Sequence, residues 1–422
     1  MRTSASLAAI VVSLSASASA RADVAPTRVV QVGDDLAAAL RGLVPGDVVA
    51  LAPGTHTVTS RLGLTATGTA AAPITITSLD PDDRALIVRP NADQNVIDVD
   101  VGHFVVLDSL RISGGSRGIR LNDVSDFTIT NSEVFETGDV AVSANDGDRT
   151  YARLTLTHNE LHDTHGTGEG FYLGCNGDSC RLTDSVIANN WIHDLDSDDV
   201  EQGDGIEVKV GSFGNVIRDN VVHDTNFPCI TLYGTLGNGA DNQIVGNLLF
   251  RCGDNGIQVA ADAIVHNNVI VSVAVDGIHT QNHDGAVPGN LDIRHNTIAT
   301  AGDALALRQV AGPIVVANNA LYSAGANAVR VNGNAAQVAF FGNVGAGGLD
   351  GAAATILGAG VLAADTVDAS GFDLFPIEGG GLDGTGSLEH IVAVDFNGTP
   401  RTTADVGAYV VAASNPRAFD EE

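Results

Sequence analysis

The chain has 422 residues and a formal charge of −30, from 51 acidic against 21 basic side chains. A surface this negative argues against nucleic acid, an anionic membrane or any polyanion captured by long-range attraction alone; an acidic polymer would need a bridging cation. No Pro/Ser-rich linker or charge block divides the sequence, so a single repetitive domain over 23–422 is expected, although the length alone would allow two or three.

Residues 1–22 read as an export signal: Met1-Arg2, an apolar stretch through Leu14, then Ala18-Ser19-Ala20-Arg21-Ala22 at cleavage spacing. That stretch is too short to span a bilayer, and no later segment has the ~20 uninterrupted apolar residues a spanning helix needs. A secreted or periplasmic protein without membrane insertion is therefore expected. Asp34 to Arg41 has the pattern of a short amphipathic helix, followed by Val44-Pro45-Gly46-Asp47, an apolar strand and Pro53-Gly54-Thr55. This segment, about 28–60, would cap the first coil, which otherwise presents an open sheet edge.

From about residue 127 a two-part phrase recurs: an apolar strand ending in Asn, then a Gly-Ile-like strand. The Asn series runs Asn131, Asn159, Asn190, Asn220, Asn247, Asn268, Asn296, Asn319 and Asn343, at intervals of 21 to 31 residues, and the second half includes Gly170-Phe171, Gly205-Ile206, Cys229-Ile230, Gly256-Ile257 and Gly277-Ile278. Such a period marks a solenoid. The units are rich in Val, Ile, Thr, Asn and Gly with period-two alternation, which selects strands over helices. The fold expected is all-β, coils stacked about 4.8 Å apart over residues 61–345, with the Asn residues bonded along the axis as a ladder. Past Asn343 the sequence turns Gly/Ala-rich and ends through Asp405-Val406-Gly407-Ala408-Tyr409, read as irregular closing coils over 346–422.

The four cysteines form two plausible pairs, Cys175 with Cys180 and Cys229 with Cys252. Two disulfides fit export, and a metal site is the alternative, without a CxxC spacing to support it. His162-Asp163, His193-Asp194 and His223-Asp224 each follow an Asn by the same offset and form a repeat column of structural turns.

One feature does not repeat. Lys209 is the only lysine, against twenty arginines, and it follows six carboxylates in eleven residues: Asp194, Asp196, Asp198, Asp199, Glu201 and Asp204. A lysine pKa can be lowered until its neutral form accepts a proton, whereas arginine stays charged. Carboxylates at this density suit Ca²⁺, a hard cation that takes oxygen ligands, although a hydrated acidic loop would have the same composition. Carrying the alternation Ile206 in, Glu207 out, Val208 in, Lys209 out to neighbouring coils gives one outward column of Tyr172, Glu207, Thr231, Gln258, His279, Ala306 and Arg330. The other reads Gly174, Lys209, Tyr233, Ala260, Gln281, Arg308 and Asn332. Tyrosine rings beside hydrogen-bonding groups are what a sugar-binding groove requires, with a solvated sheet face as the plain alternative.

Val44 to Thr55, Gly68 to Ile76, the Asn and Gly-Ile phrases and Gly407-Ala408-Tyr409 together resemble the right-handed parallel β-helix, or pectate-lyase-like, superfamily across nearly the whole chain after the signal. Gly205 to Gly211 followed by Asn215 to Asn220 resembles the lysine-bearing coil of polysaccharide lyase families nine and six. The resemblance implies a calcium-assisted β-elimination on a uronate-containing polysaccharide. Lys209 would be the base, Asp198, Asp199, Asp204 and Glu207 the metal ligands, and Tyr172, Glu207, Tyr233, Gln258, His279 and Arg308 the sugar contacts. One coil beyond Lys209, where family-six lyases carry an arginine, this chain has Thr231 and Tyr233. A monomer is expected, and the alternative is a non-catalytic carbohydrate-binding or cell-surface β-helix.

Overall fold

The computed structural model describes residues 25–412 and 414–415, with the backbone of 10–11 and 420–421. Apart from that short backbone pair, the expected export signal lies outside the described residues. The strand Arg28–Val30 already pairs in parallel with Val48–Leu51, so stacking begins within the segment expected as a cap. The helix is a single turn, Leu36–Ala39, started by the Asp35 carboxylate, which accepts the Ala38 N–H at 3.0 Å; its Leu36 and Leu40 sink into the open end of the core.

Among the described residues, 36 strands, Arg28–Val30 included, form one continuous hydrogen-bonded sheet wound into coils. One coil runs Thr155–Thr157, Glu160–Thr164, Phe171–Leu173; the next runs Val186–Ala188, Trp191–His193, Ile206–Val208; a third runs Val216–Arg218, Val221–Thr225, Ile230–Leu232. Each strand pairs in parallel with its equivalents above and below, which divides the wall into three faces. The apolar member of each alternation points inward, so Leu156, Ile187 and Ile217, Leu161, Ile192 and Val222, and Phe171, Ile206 and Ile230 stack in buried files down the axis. No coil can bury its own edges, and stability therefore belongs to the stack.

The corner between the first and second strands of each coil is the asparagine ladder. Along the file Asn159, Asn190, Asn220, Asn247, Asn268, Asn296, Asn319 and Asn343, each Oδ1 after the first accepts both the backbone N–H and the Nδ2–H of the Asn one coil before, at 2.9 to 3.0 Å. Each remaining Nδ2–H donates to a main-chain carbonyl, as Asn190 does to Leu156 at 2.9 Å. Asn131, expected as the first rung, is not one: its side chain donates to Asp108, and Ser132 occupies the rung, donating its N–H to Asn159. The reason is local. The residue before each rung adopts a left-handed backbone, as His158, Asn189 and Asp219 do, and Asn131 fills that position, with φ of 51°. A second, shorter ladder of Ser185, Asn215 and Asn242 runs down another corner.

On the outer side of the second face the rings of Phe135, His162, His193, His223 and Phe250 stack at 4.4 to 5.4 Å, and each histidine Nδ1 bonds the carboxylate of the aspartate after it. Farther along, the same outer face becomes apolar at Leu248, Phe250, Val269 and Val271, and residues 374–409 fold back over it with Leu374, Phe375, Val406 and Tyr409. The C-terminal segment, expected as closing coils, thus packs along the flank.

Candidate functional site

The third face carries the site. Its strands Val142–Ala144, Phe171–Leu173, Ile206–Val208, Ile230–Leu232, Ile257–Val259 and Ile278–Thr280 pair in the order and register read from the alternation, placing Tyr172, Glu207, Thr231, Gln258 and His279 in one outward column. Lys209 follows its strand, its N–H bonded to Leu173 O at 2.8 Å, and Tyr233 follows the next, bonded to Val208 O.

Although both point away from the coil interior, Glu207 and Lys209 are only 3% and 5% exposed. They are covered by tyrosines and by loops from the turns beside the sheet. Lys209 Nζ is 2.5 Å from Glu207 Oε1 and 3.4 Å from the Tyr233 hydroxyl, which itself donates to Glu207 Oε1 at 3.0 Å. The ammonium lies between two rings, 4.6 Å from the Tyr172 centroid and 5.1 Å from that of Tyr233. Gly174, with φ of +90°, makes room: a Cβ there would stand 3.0 Å from Lys209 Cβ.

A loop completes the wall. Residues 282–286 arch back along the groove until the Asp284 carboxylate accepts the Gly177 N–H at 2.5 Å, inside the turn closed by Cys175–Cys180. This sets the His283 ring edge-on against Tyr233, with centroids 4.4 Å apart, although strand counting puts it three coils from Lys209. The resulting trough, about 550 Å³, is floored by Glu207, Lys209, Thr231 and Gln258 and flanked by His283 and Phe227. The second disulfide, Cys229–Cys252, ties the Tyr233 coil to the next.

Beneath the trough lies a buried acidic group. Glu169, Asp204 and Glu207 each offer an oxygen, all within 4.8 Å of one another. Asp204 accepts from Thr231 Oγ1 at 2.5 Å, and Glu169 accepts from Thr167 Oγ1 at 2.6 Å. Glu169 Oε1 and Glu207 Oε2 are buried with no hydrogen-bond partner. Burial, with the Glu207 charge second, pushes Asp204 well above the usual carboxylate range, and burial likewise raises Glu169. For Lys209, burial pulls the pKa down, but the charge and hydrogen bond of Glu207 outweigh it and hold the ammonium above its ordinary value. Burial and then the Lys209 charge lower His283. Three convergent carboxylates with two orphaned oxygens fit a hard divalent cation such as Ca²⁺, leaving coordination for water or a ligand carboxylate.

The structure therefore brings together Lys209, Glu207, Asp204, Tyr172, Tyr233 and Gln258. It does not bring in Asp198 and Asp199, which lie on an exposed turn where Asp199 meets His165 Nδ1 at 3.0 Å. His279 Nδ1 and Arg308 Nη2 instead converge on Asp276, at 2.8 and 3.1 Å, outside the trough lining. Glu169 is an addition, and His283 lies against Tyr233, nearer Lys209 than its place in the strand order. Glu169 was visible in the repeat, because it precedes Gly170-Phe171 as Asp204 precedes Gly205-Ile206.

A family model described as "Right handed beta helix region" matches residues 117–298. The chain is a right-handed parallel β-helix. Solved structures agree along most of its length. The PL6 family alginate lyase AlyGC superposes with a TM-score of 0.53 at 13% identity, covering 93% of this β-helix and 59% of that chain. Pectate lyase Pel9A gives 0.51 at 14%, covering 92% and 98%. The A-module of the Azotobacter vinelandii mannuronan C-5 epimerase AlgE6 gives 0.51 at 14%, covering 74% and 89%. At such identities the likeness is one of fold. No curated protein sequence matches the chain. Among the described residues no helix is long and apolar enough to cross a membrane.

Proposed function

We propose that this β-helix is an exported lyase that cleaves a uronate-containing polysaccharide by β-elimination, with Lys209 as base and a divalent cation, Ca²⁺ by ligand type, on Glu169, Asp204 and Glu207. The observation that carries the reading is the double role of Glu207: Oε1 holds the only lysine, while Oε2 is buried without a partner in the acidic group. A bound cation would offset the charge of a substrate carboxylate and so acidify the neighbouring C5 proton. The residues supply the rest. Tyr172 and Tyr233 confine the amine between their rings. If the charge of Glu207 is engaged elsewhere, burial, the largest influence on Lys209, is opposed only by the lesser pull of Tyr172, and the pKa of the amine falls towards a useful base. The Tyr233 hydroxyl, 3.4 Å from Nζ, would relay a proton towards the leaving sugar oxygen. Two disulfides support folding in an oxidising compartment.

A second reading has its own observation. Held as an ammonium by Glu207, Lys209 is a cation and not a base, which suits a carbohydrate-binding β-helix that breaks no bond. The two separate on one experiment: purified protein with pectate, alginate or chondroitin, with and without Ca²⁺, followed by the ultraviolet absorbance of unsaturated uronate ends. Calcium-dependent growth of that absorbance supports the lyase; binding of a polymer without it supports the second reading.

A further inference from the structure

The sheet that carries Lys209 does not end at Tyr172. Its outward column continues toward the N-terminus through Ser143 and Arg120 to Asp98. Arg120 stands three coil steps before Glu207, or roughly 14 Å at the spacing of adjacent strands. Two abutting hollows of about 290 and 350 Å³ open there, sharing Asn95 and Arg120, and four arginines line them: Arg61, Arg89, Arg117 and Arg120. Four carboxylates, Asp93, Asp98, Asp139 and Asp146, balance these four cations, whereas the Lys209 trough sets one cation against Asp204, Glu207, Asp254 and Asp284. On a chain of net charge −30 the arginine end is charge-balanced where the Lys209 trough is net acidic.

The arginines are also held ready. Arg117 Nε is paired to Asp139 and its Nη1 to Ser143 and Asn145; Arg120 pairs with Asp146 through one nitrogen, and Arg61 with Asp98 and Asp100. A guanidinium has five donors in a fixed fork, so Arg120 keeps most of its donors for a ligand. Arg89 is the anomaly. It is 2% exposed, its bonds go to Ser60 O and Gln94 Oε1, its Nε has no partner, and no carboxylate pairs with it among the described residues. A buried cation without an anion is costly.

We propose that this trough is a distal subsite for the carboxylates of an acidic glycan chain, with Arg120 and Arg61 as its contact forks and Arg89 as the buried charge that biases it toward anions. It rests on the uronate reading above and extends it: a chain reaching from Lys209 to Arg120 must cross three coils, so long oligomers gain from the subsite and disaccharides do not.

The test is calorimetric binding of uronate disaccharides and hexasaccharides, from pectate and alginate, to the Lys209→Arg protein with calcium present. A neutral hexasaccharide serves as control. Adding Arg61→Gln and Arg120→Gln is expected to weaken hexasaccharide binding about tenfold or more, as loss of charge-assisted bonds does, and to leave the disaccharide unchanged. Arg61→Gln alone, on the most exposed of the paired forks, carries the same expectation should the combined variant not fold. Equal hexasaccharide affinity with and without the arginines overturns the subsite and spares the Lys209 reading. Absence of any uronate binding to the parent removes both. Arginine-dependent binding with no turnover by the unsubstituted protein leaves the subsite and removes the lyase.

Discussion

The asparagine corner and the Lys209 trough are both files of buried polar side chains on one scaffold, and they differ in whether their bonds close. Each interior ladder Asn has both the acceptor and the donors of its amide engaged, and the arrangement repeats coil after coil. In the trough, three carboxyl groups and one ammonium meet once, with two carboxylate oxygens unpaired. Buried polar groups are normally satisfied, so repetition with closure indicates a structural role and a single unclosed cluster indicates a site.

The largest effect should fall on Lys209. Lys209→Arg is expected to lower turnover of uronate polymer by roughly 10²–10⁴-fold, the usual worth of a general base, with an unchanged circular-dichroism spectrum. Retained turnover would return the residue to a structural role. Asn220→Ala tests the other side. It strips partners from the Asn190 N–H and the Ile187 carbonyl, at ~1–3 kcal/mol for each orphaned group, and denaturant titration should show that loss while turnover per folded molecule stays unchanged.

Glu169→Gln should separate the acidic group from the ladder by sign. Calcium at a hundredfold excess over its Kd would stabilise the unsubstituted protein by about 2.7 kcal/mol against chelator. The variant should lose that increment in thermal melts and, in chelator, be no less stable than its parent, because a buried carboxyl crowded by Glu207 is replaced by a neutral amide. A full calcium increment in Glu169→Gln would move the cation elsewhere.

The smallest effect concerns the ringed flank. Burial opposes ionisation of Glu133, yet its bonds to Arg111 and His162 hold it down at about 2; burial likewise opposes charging of His162, yet Glu133 and Asp163 hold it up at about 9. The Glu133 contribution is present above its unfolded pKa near 4.5 and is lost as pH falls toward 2. That of His162 is present below 6.5 and is lost as pH rises through 9. Melting temperature should therefore decline modestly on both sides of pH 4.5–6.5, and Glu133→Gln should flatten both limbs.

Strand register was legible because alternation is a period-two code, and every outward neighbour from Tyr172 to Arg330 follows from one correct phase. Loops carry no such code. Nothing in Asn282 to Gly285 says that the segment doubles back onto Gly177, and strand counting alone therefore leaves His283 three coils from Lys209 and shows no cover over the lysine. The acidic run misled because density of charge in sequence is not convergence in space: Asp198 and Asp199 face solvent, while Glu169, one coil earlier and outside any acidic run, reaches Asp204 through the stack. The return of the C-terminus had a signal, since the unbroken apolar runs Leu248-Leu249-Phe250 and Val269-Ile270-Val271 belong to strands covered on both sides.

The bond between Asp284 and Gly177 makes the opening above Lys209 a matter of two loop lengths and not of the coils beneath. Residues could be added to or removed from either loop without altering a single rung, so the same wall could admit thinner or bulkier chains, or open one end wider, at little cost to folding.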